Sequence, residues 1–412
     1  MCESMRVLGM SIGIVEGNHV LLPPFIAARW GLLGCAEGVS FRGLVFRMTD
    51  SWLETLLKSL LRYRRPRPST FSVQVPVSDS LQVVEVKVPI ILRLIGLNME
   101  RLFNRFAFKL VCRRLADAAE GSLASFAPDI IHAHQILYTG AVALELNRRS
   151  HVPYVITAHG DGIHTIPQRG TAVKNATLQV MRGSAGVMFV SSRLREVARG
   201  FGYHRASDVT IGNSVDLDGY VPMDRGSAKA RMGLKSDAKV VGFVGTLCAT
   251  KGADLLPEVF RTVVSGSEDV QFVVIGTGAL ERDIADAVRG LRVRFLGQLP
   301  HGDVLQWINA FDVLVLPSRQ EGYPTVVLEA RPVGTPVVSS CVCREAVAEM
   351  GVVVDLFAPG GLRAFSRAVG EVLFRGYSDG VMGKGGPQGI PGWEEIVGGE
   401  CGFYEKALGR RS

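Results

Sequence analysis

Nowhere does the sequence hold an uninterrupted apolar run of the ~20 residues that a helix needs to cross a bilayer, so a chain built around a membrane span is excluded. The apolar stretch from Val20 to Gly34 is broken by Pro23, Pro24 and Arg29 and has no basic flank, so no signal peptide is expected. The seven cysteines, Cys2, Cys35, Cys112, Cys248, Cys341, Cys343 and Cys401, are odd in number and show no paired spacing. That argues against a disulfide framework and for a reducing, cytoplasmic setting. Cys341 and Cys343 lack a second pair or nearby histidines, so they read as small buried residues and no metal site is expected. Charge is sparse as well: 21% of residues are charged and 47% hydrophobic, which leaves ample material for buried cores.

What is present is a 412-residue chain, too long for one core and suited to two domains of roughly 200 residues. Its formal net charge of +7 fits an anionic partner, whether nucleic acid, a membrane surface or a phosphorylated substrate, without choosing among them. Residues 62–68, RYRRPRP, are basic and too rich in proline for a helix, which leaves a solvated loop or a ligand site. From Asn98 to Ala119 a helix is predicted, with Leu102, Phe106 and Leu110 at four-residue steps beside Arg101, Arg105, Lys109 and Arg113. Such a stripe is either the outer face of a packed helix or a surface for an anionic membrane.

In the first half, strands are predicted at Arg6 to Ile14, Asp129 to Ala133, Pro153 to Ala158 and Val187 to Val190, the first leading into a glycine-bearing loop from Gly13 to Gly17. Two of them end in histidines, His134 and His159, and open α/β sheets bind ligands at strand carboxyl ends. His134 is therefore a candidate functional residue and His132 a core residue. Met223 to Lys239 is the candidate linker. In the second half, short strands at Val240 to Val244, Gln271 to Ile275, Val293 to Leu296, Val313 to Leu316, Val337 to Ser339 and Val352 to Val354 alternate with helical patterns. Alternation at this pitch means βαβ units, a parallel sheet and right-handed crossovers.

The densest signal lies between Phe311 and Ser340. A buried strand ends at Pro317, a turn carries Glu321, and Pro324 starts a helix whose first turn holds Thr325 to Val327 and which carries Glu329 inside. Amides at such a helix start attract a phosphate, while the two glutamates suit hydroxyl groups on either side of it, as a nucleotide sugar offers. Lys251 and Gly252 stand just before another helix, where an ammonium can meet a phosphate as a point charge. Gly276 and Gly278 follow a strand and invite a dinucleotide reading, but Glu281 stands where that fingerprint needs its third glycine. They are read as a tight turn.

The stretch EGYPTVVLEARPVGTPVV resembles the signature of the retaining, metal-independent glycosyltransferases of family four. DIIHAHQ, VPYVITAHGDG, FLGQLP and Trp393 in IPGWEEIVG extend the resemblance over Asp129 to the C-terminus. It implies a GT-B α/β fold: two Rossmann-like parallel-sheet domains facing a cleft, with a C-terminal helix crossing back to the first. Residues 1–222 with a tail from about 396 to 412 would form the acceptor side, and 223–395 would bind the donor. It further implies hexosyl transfer from a nucleoside diphosphate sugar to an acceptor hydroxyl, with no cofactor; no nucleic-acid partner is expected, and the basic stripe from Arg101 to Arg113 points to a sugar or lipid-linked acceptor at the cytoplasmic face of a membrane. Glu321 would contact the transferred sugar with His134, and Glu329 the ribose. Lys251, Gly252, Thr246, Leu299, Gly322, Tyr323, Pro324, Thr325 and Val326 would line the donor, and His159 and Asp161 the acceptor side. Three departures stand out: Thr246 replaces a frequent arginine, CVCRE lacks a glycine pair before Glu345, and Ser11 to Asn18 matches the family's first loop poorly. Two alternatives share the architecture, a non-hydrolysing sugar-nucleotide epimerase and a nucleotide-sugar-binding scaffold without turnover.

Overall fold

The structure, a computed structural model, describes residues 5–12, 14–16, 19–22, 24–49, 73–76, 80–87, 105–164, 170–215, 223–264, 269–347, 351–375 and 391–410. The basic segment 62–68 and the start of the helix predicted from Asn98 lie outside them. The chain divides into two compact units, one holding the described residues up to 213 and from 392 onward, the other those between 214 and 391.

The first unit contains β1 (Met5–Ile12), β2 (Ile14–Glu16), β3 (His19–Leu22), β4 (Val39–Thr49), β5 (Val73–Pro76), β6 (Leu81–Lys87), β7 (Ile130–Ala133), β8 (Tyr154–Ala158), β9 (Gly186–Phe189) and β10 (Val209–Thr210). Seven of these pair in the order β10-β9-β8-β7-β1-β4-β6, every neighbour parallel. Strand order therefore reverses at β1, and β1 and β7 flank the switch point. The expected glycine loop after β1 is instead strand β2, which joins β3 and β5 in a separate antiparallel sheet; Gly13 and Gly17 lie outside the described residues. The last helix, Trp393–Ala407, packs on this unit. Phe403 rests on Gly186 of β9, where a Cβ would meet the ring at 2.7 Å.

Among the described residues no helix is long and apolar enough to cross a membrane. The helix Arg105–Phe126 buries Ala107, Phe108, Val111, Cys112 and Leu115 and leaves Phe106 78% exposed. The core face is thus one position off the predicted stripe, and its spacing 107, 108, 111, 115 follows the helical period.

In the second unit β11 (Lys239–Val244), β12 (Val270–Ile275), β13 (Val293–Gly297), β14 (Val313–Leu316), β15 (Val337–Ser340) and β16 (Gly351–Val354) form one parallel sheet in the order β13-β12-β11-β14-β15-β16. Both faces are covered by apolar clusters, which is why these strands read as continuous β-branched runs. The switch point lies between β11 and β14. The stretch expected as a linker belongs to this unit: the helix Arg225–Arg231 packs here, with Lys229 paired to Asp312 at 2.8 Å. Gly276 brings the turn after β12 onto the turn after β11, since a Cβ would lie 1.9 Å from the Gly245 carbonyl oxygen. That is close packing between two loops, in keeping with a tight turn.

Candidate active site

Two polar clusters stand at strand carboxyl ends, one in each unit. In the second unit, the turn after β11 carries Lys251 and the turn after β14 carries Glu321. Lys251 Nζ donates to Glu321 Oε2 at 2.7 Å, and Ser318 Oγ donates to Oε1 at 2.8 Å. Ser340 Oγ in turn donates to the Ser318 carbonyl at 2.5 Å. Burial works against the Lys251 ammonium, but the Glu321 carboxylate more than offsets it and the lysine pKa is raised. Glu321 is 7% exposed, so this charge pair is poorly screened.

The two turns are locked together. Gly252 has φ +68°, and a Cβ there would lie 1.9 Å from the Pro317 carbonyl oxygen, so only glycine allows the turns to touch. Arg319 grips Asp254 with both guanidinium arms, at 2.6 and 2.8 Å, and donates its backbone N–H to Thr250 at 2.8 Å. Thr246 lies exposed in the same turn. The helix after Pro324 spans only Thr325–Ala330, ending before Pro332, and Val327 N–H already donates to the Pro324 carbonyl. Of the three amides expected to be unpaired, this one is occupied. Gly322, Tyr323 and Pro324 form the turn into that helix, with Tyr323 packed on the apolar cluster. Val326 is buried and Thr325 partly so. Glu329 is buried on the helix, with Oε1 3.1 Å from His301 Nε2. Leu299, two residues before His301, packs against the same cluster.

In the first unit, three histidines line up beside the switch point. His132 and His134 are fully buried and His159 partly buried, with ring centroids 4.2 Å apart for the first pair and 5.6 Å for the second. Trp30 Nε1 lies 2.9 Å from His134 Nε2, and His134 Nδ1 lies 3.3 Å from His159 Nε2. An indole N–H only donates, so His134 accepts at Nε2 and carries its proton on Nδ1, which it donates to His159. His132 Nε2 meets Thr157 Oγ1 at 2.6 Å, and its Nδ1 meets Tyr404 Oη at 2.7 Å. Burial, then the Arg29 charge, pushes His132 down to about 3; burial and the neighbouring histidines hold His134 well below the usual range, and burial and Arg29 do the same to His159. Arg29 is itself buried against Glu400, with Asn213 Oδ1 at 3.2 Å, and Trp393 at the start of the last helix lies 6.0 Å from its guanidinium. His134 is thus fully buried and meets the partly buried His159 through Nδ1. Asp161 opens the short helix Asp161–His164, and its side chain lies outside the described residues.

Sequence reasoning located Lys251 and Glu321 but missed Ser318, Arg319, Asp254, His301, Arg29, Trp30, Glu400 and Tyr404. For Glu400 and Tyr404 a signal existed: they sit four apart on the last helix, on one face. Among the described residues no group of three or more His, Cys, Asp or Glu has an arrangement that could hold a metal ion.

The chain matches the family descriptions "Glycosyltransferase Family 4" over residues 60–218 and "Glycosyl transferases group 1" over residues 238–374. The first match begins well before Asp129, so the resemblance reaches further toward the N-terminus than the motifs suggest. Similar proteins include TuaC of Bacillus subtilis, assigned by name to teichuronic acid biosynthesis, 29% identical over 51% of this chain and 52% of that protein. The D-inositol 3-phosphate glycosyltransferase of Corynebacterium urealyticum is 30% identical over 60% of this chain and 63% of that protein. The chain thus spans only about half to three fifths of the length of these curated relatives. Among solved structures, the sucrose-phosphate synthase of Thermosynechococcus elongatus has a TM-score of 0.72 at 18% identity, covering 98% of this chain and 99% of that one. HepE of Anabaena, solved with UDP and glucose, has a TM-score of 0.66 at 16% identity, covering 98% of this chain and 100% of that one. With two Rossmann-like parallel sheets, the motif around Glu321 and Glu329, and matches to both family descriptions, the chain belongs to the family-four (group 1) glycosyltransferases and has the GT-B fold.

Proposed function

We propose that this chain moves a hexosyl group from a nucleoside diphosphate sugar to an acceptor hydroxyl, with retention at the anomeric carbon and without a metal ion. The observation that carries this reading is the contact of Lys251 with Glu321 at the switch point of the second sheet. A departing diphosphate gains negative charge as the glycosidic bond breaks, and a fixed ammonium in a poorly screened site stabilises that charge. In this reading Lys251 leaves Glu321 for the diphosphate. Glu321, still held by Ser318, then accepts the hydroxyls of the hexose. Glu329 accepts those of the ribose, the backbone near Leu299 meets the base, and Gly252 and Gly322 to Val326 lie along the phosphates. His159 and Asp161 serve the acceptor side, with His134 acting through His159.

HepE, crystallised with UDP-glucose, makes that donor the first to test. A cell-surface polysaccharide or glycolipid acceptor is supported by TuaC and by the helix Arg105–Phe126, which exposes Phe106 beside Lys109, Arg113 and Arg114. An apolar side chain among cations suits an anionic inner membrane face, to which the enzyme would bind peripherally from the cytoplasm.

The test is a thermal-shift screen of UDP-, GDP- and ADP-sugars, followed by donor turnover with a chelator present and NMR of the product anomer. Stabilisation by none of the donors sinks the reading, and an inverted product sinks retention. A second reading, a nucleotide-sugar-binding protein without turnover, is favoured by the exposed Thr246, which brings no cation to the diphosphate. Tight donor binding with no hydrolysis and no transfer to any acceptor would select it.

A further inference from the structure

Glu329 is 3% exposed, and His301, whose side chain is 35% exposed, places Nε2 3.1 Å from its Oε1. The two residues come from neighbouring helices, His301–Ala310 and Thr325–Ala330, which pack against each other. His301 is the first residue of its helix, directly after Leu299 and Pro300, so the turn following β13 sets the position of the ring. Glu329 lies in the last turn of a six-residue helix. A glutamate carboxylate turns about its terminal bond almost freely, and a diol is recognised only when both oxygens stand in the diol plane. A donor fixed at one oxygen removes that rotation. The arrangement repeats the logic by which an outer hydrogen bond orients a metal-ligating carboxylate, here with a sugar in place of the metal.

We propose that His301 is a specificity-determining positioning residue: by donating through Nε2 to Glu329 Oε1 it holds the carboxylate in the orientation that takes both ribose hydroxyls, and so sets the preference for ribonucleotides over 2′-deoxyribonucleotides. The proposal rests on the reading of Glu329 as the ribose acceptor. In this proposal His301 acts on the nucleotide through Glu329. A buried carboxylate built to receive two hydroxyls leaves a charge imperfectly paired when one is missing, and this penalises the deoxy ligand. Once the carboxylate swivels, the single remaining hydroxyl is met as well as two, and discrimination falls.

Isothermal titration of the full chain with UDP, GDP and ADP, each beside its 2′-deoxy counterpart, tests this, with thermal unfolding as the control for folding. The wild type is expected to favour the ribo form of its best-bound base by about tenfold or more. His301→Ala should bring the two forms within about threefold of each other, chiefly by weakening the ribo form. His301→Gln, which returns an N–H donor near the position of Nε2, should keep most of the wild-type ratio. Discrimination retained in His301→Ala, or lost equally in His301→Gln and His301→Ala, overturns the proposal. Binding of no nucleoside diphosphate by the wild type would instead remove the donor reading itself. Retained discrimination in Glu329→Ala would remove the ribose role of that glutamate.

Discussion

The two units carry the same sheet order, and each places polar residues at its switch point, yet the two clusters are opposites in charge. Lys251 and Glu321 form an ion pair in a partly buried turn, and the glutamate raises the lysine pKa. The histidine row of the first unit is held neutral, its members pushed well below the usual range by burial and by Arg29. In the proposed function the Lys251 cluster meets an anion, and the histidine row passes hydrogen bonds without taking a proton. The difference follows from the neighbours of each: a serine hydroxyl and a partly exposed lysine beside Glu321, and a buried arginine with its own counter-ion beside the histidines.

The comparison can be broken most strongly at that counter-ion. Glu400→Ala leaves Arg29 charged and enclosed, and unfolding by urea should show a loss of about 3–5 kcal/mol. A loss under ~1 kcal/mol would mean that the arginine is solvated in the folded protein. Next in size, Lys251→Gln, which keeps an N–H donor beside Glu321, should lower donor turnover about 10²- to 10³-fold, while the unfolding midpoint falls less than in Glu400→Ala. Turnover near wild type would take the ammonium out of the chemistry.

Acid should then separate the units. His132 has its folded value near 3, below the ordinary 6.5, so the unfolded chain binds more protons at any pH between them. The stability this histidine contributes is complete above pH 6.5 and is lost as pH falls toward 3, at about 1.4 kcal/mol per pH unit, with His134 adding in the same direction. Calorimetry from pH 7 to 5 should show the transition of the first unit moving down ahead of the second; equal shifts would refute the contrast. Smallest is Arg319→Ala, which removes a half-exposed bidentate pair worth ~1 kcal/mol or less in stability. Its effect should appear instead as weaker donor binding, read by titration, because the turn bearing Lys251 loses its grip on Pro317 to Gln320.

Much of the second unit was legible in the chain. Runs such as Val313 to Leu316 are apolar throughout, because a parallel sheet covered on both faces leaves no polar side, and all six strands fall within a residue or two of expectation. Glu321 could be named from the strand, turn and helix around it, and Lys251 because its stretch resembles the family's, since a lysine beside a glycine carries little signal alone. What escaped was contact between residues far apart in sequence. Trp30 and His134 are separated by 104 positions, His132 and Tyr404 by 272, and no periodicity carries such information. The strand Ile14–Glu16 escaped for a local reason: glycines on either side signal a loop, and only pairing with Leu21 and Val20 makes it a strand. For Phe106 the sequence left two readings, a packed face or a membrane-facing one, because the spacing of a stripe does not say what covers it.

The seat of Phe403 over Gly186 has a bearing on how the chain matures during synthesis. The sheet from β1 to β10 leaves the ribosome long before the helix that roofs it, and in that interval Gly186 lacks Phe403 and Arg29 lacks its Glu400 counter-ion. The intervening unit is free to fold first, so the opening unit is the one whose completion waits for the helix Trp393–Ala407, and a ribosome stalled before Trp393 would display an unroofed sheet.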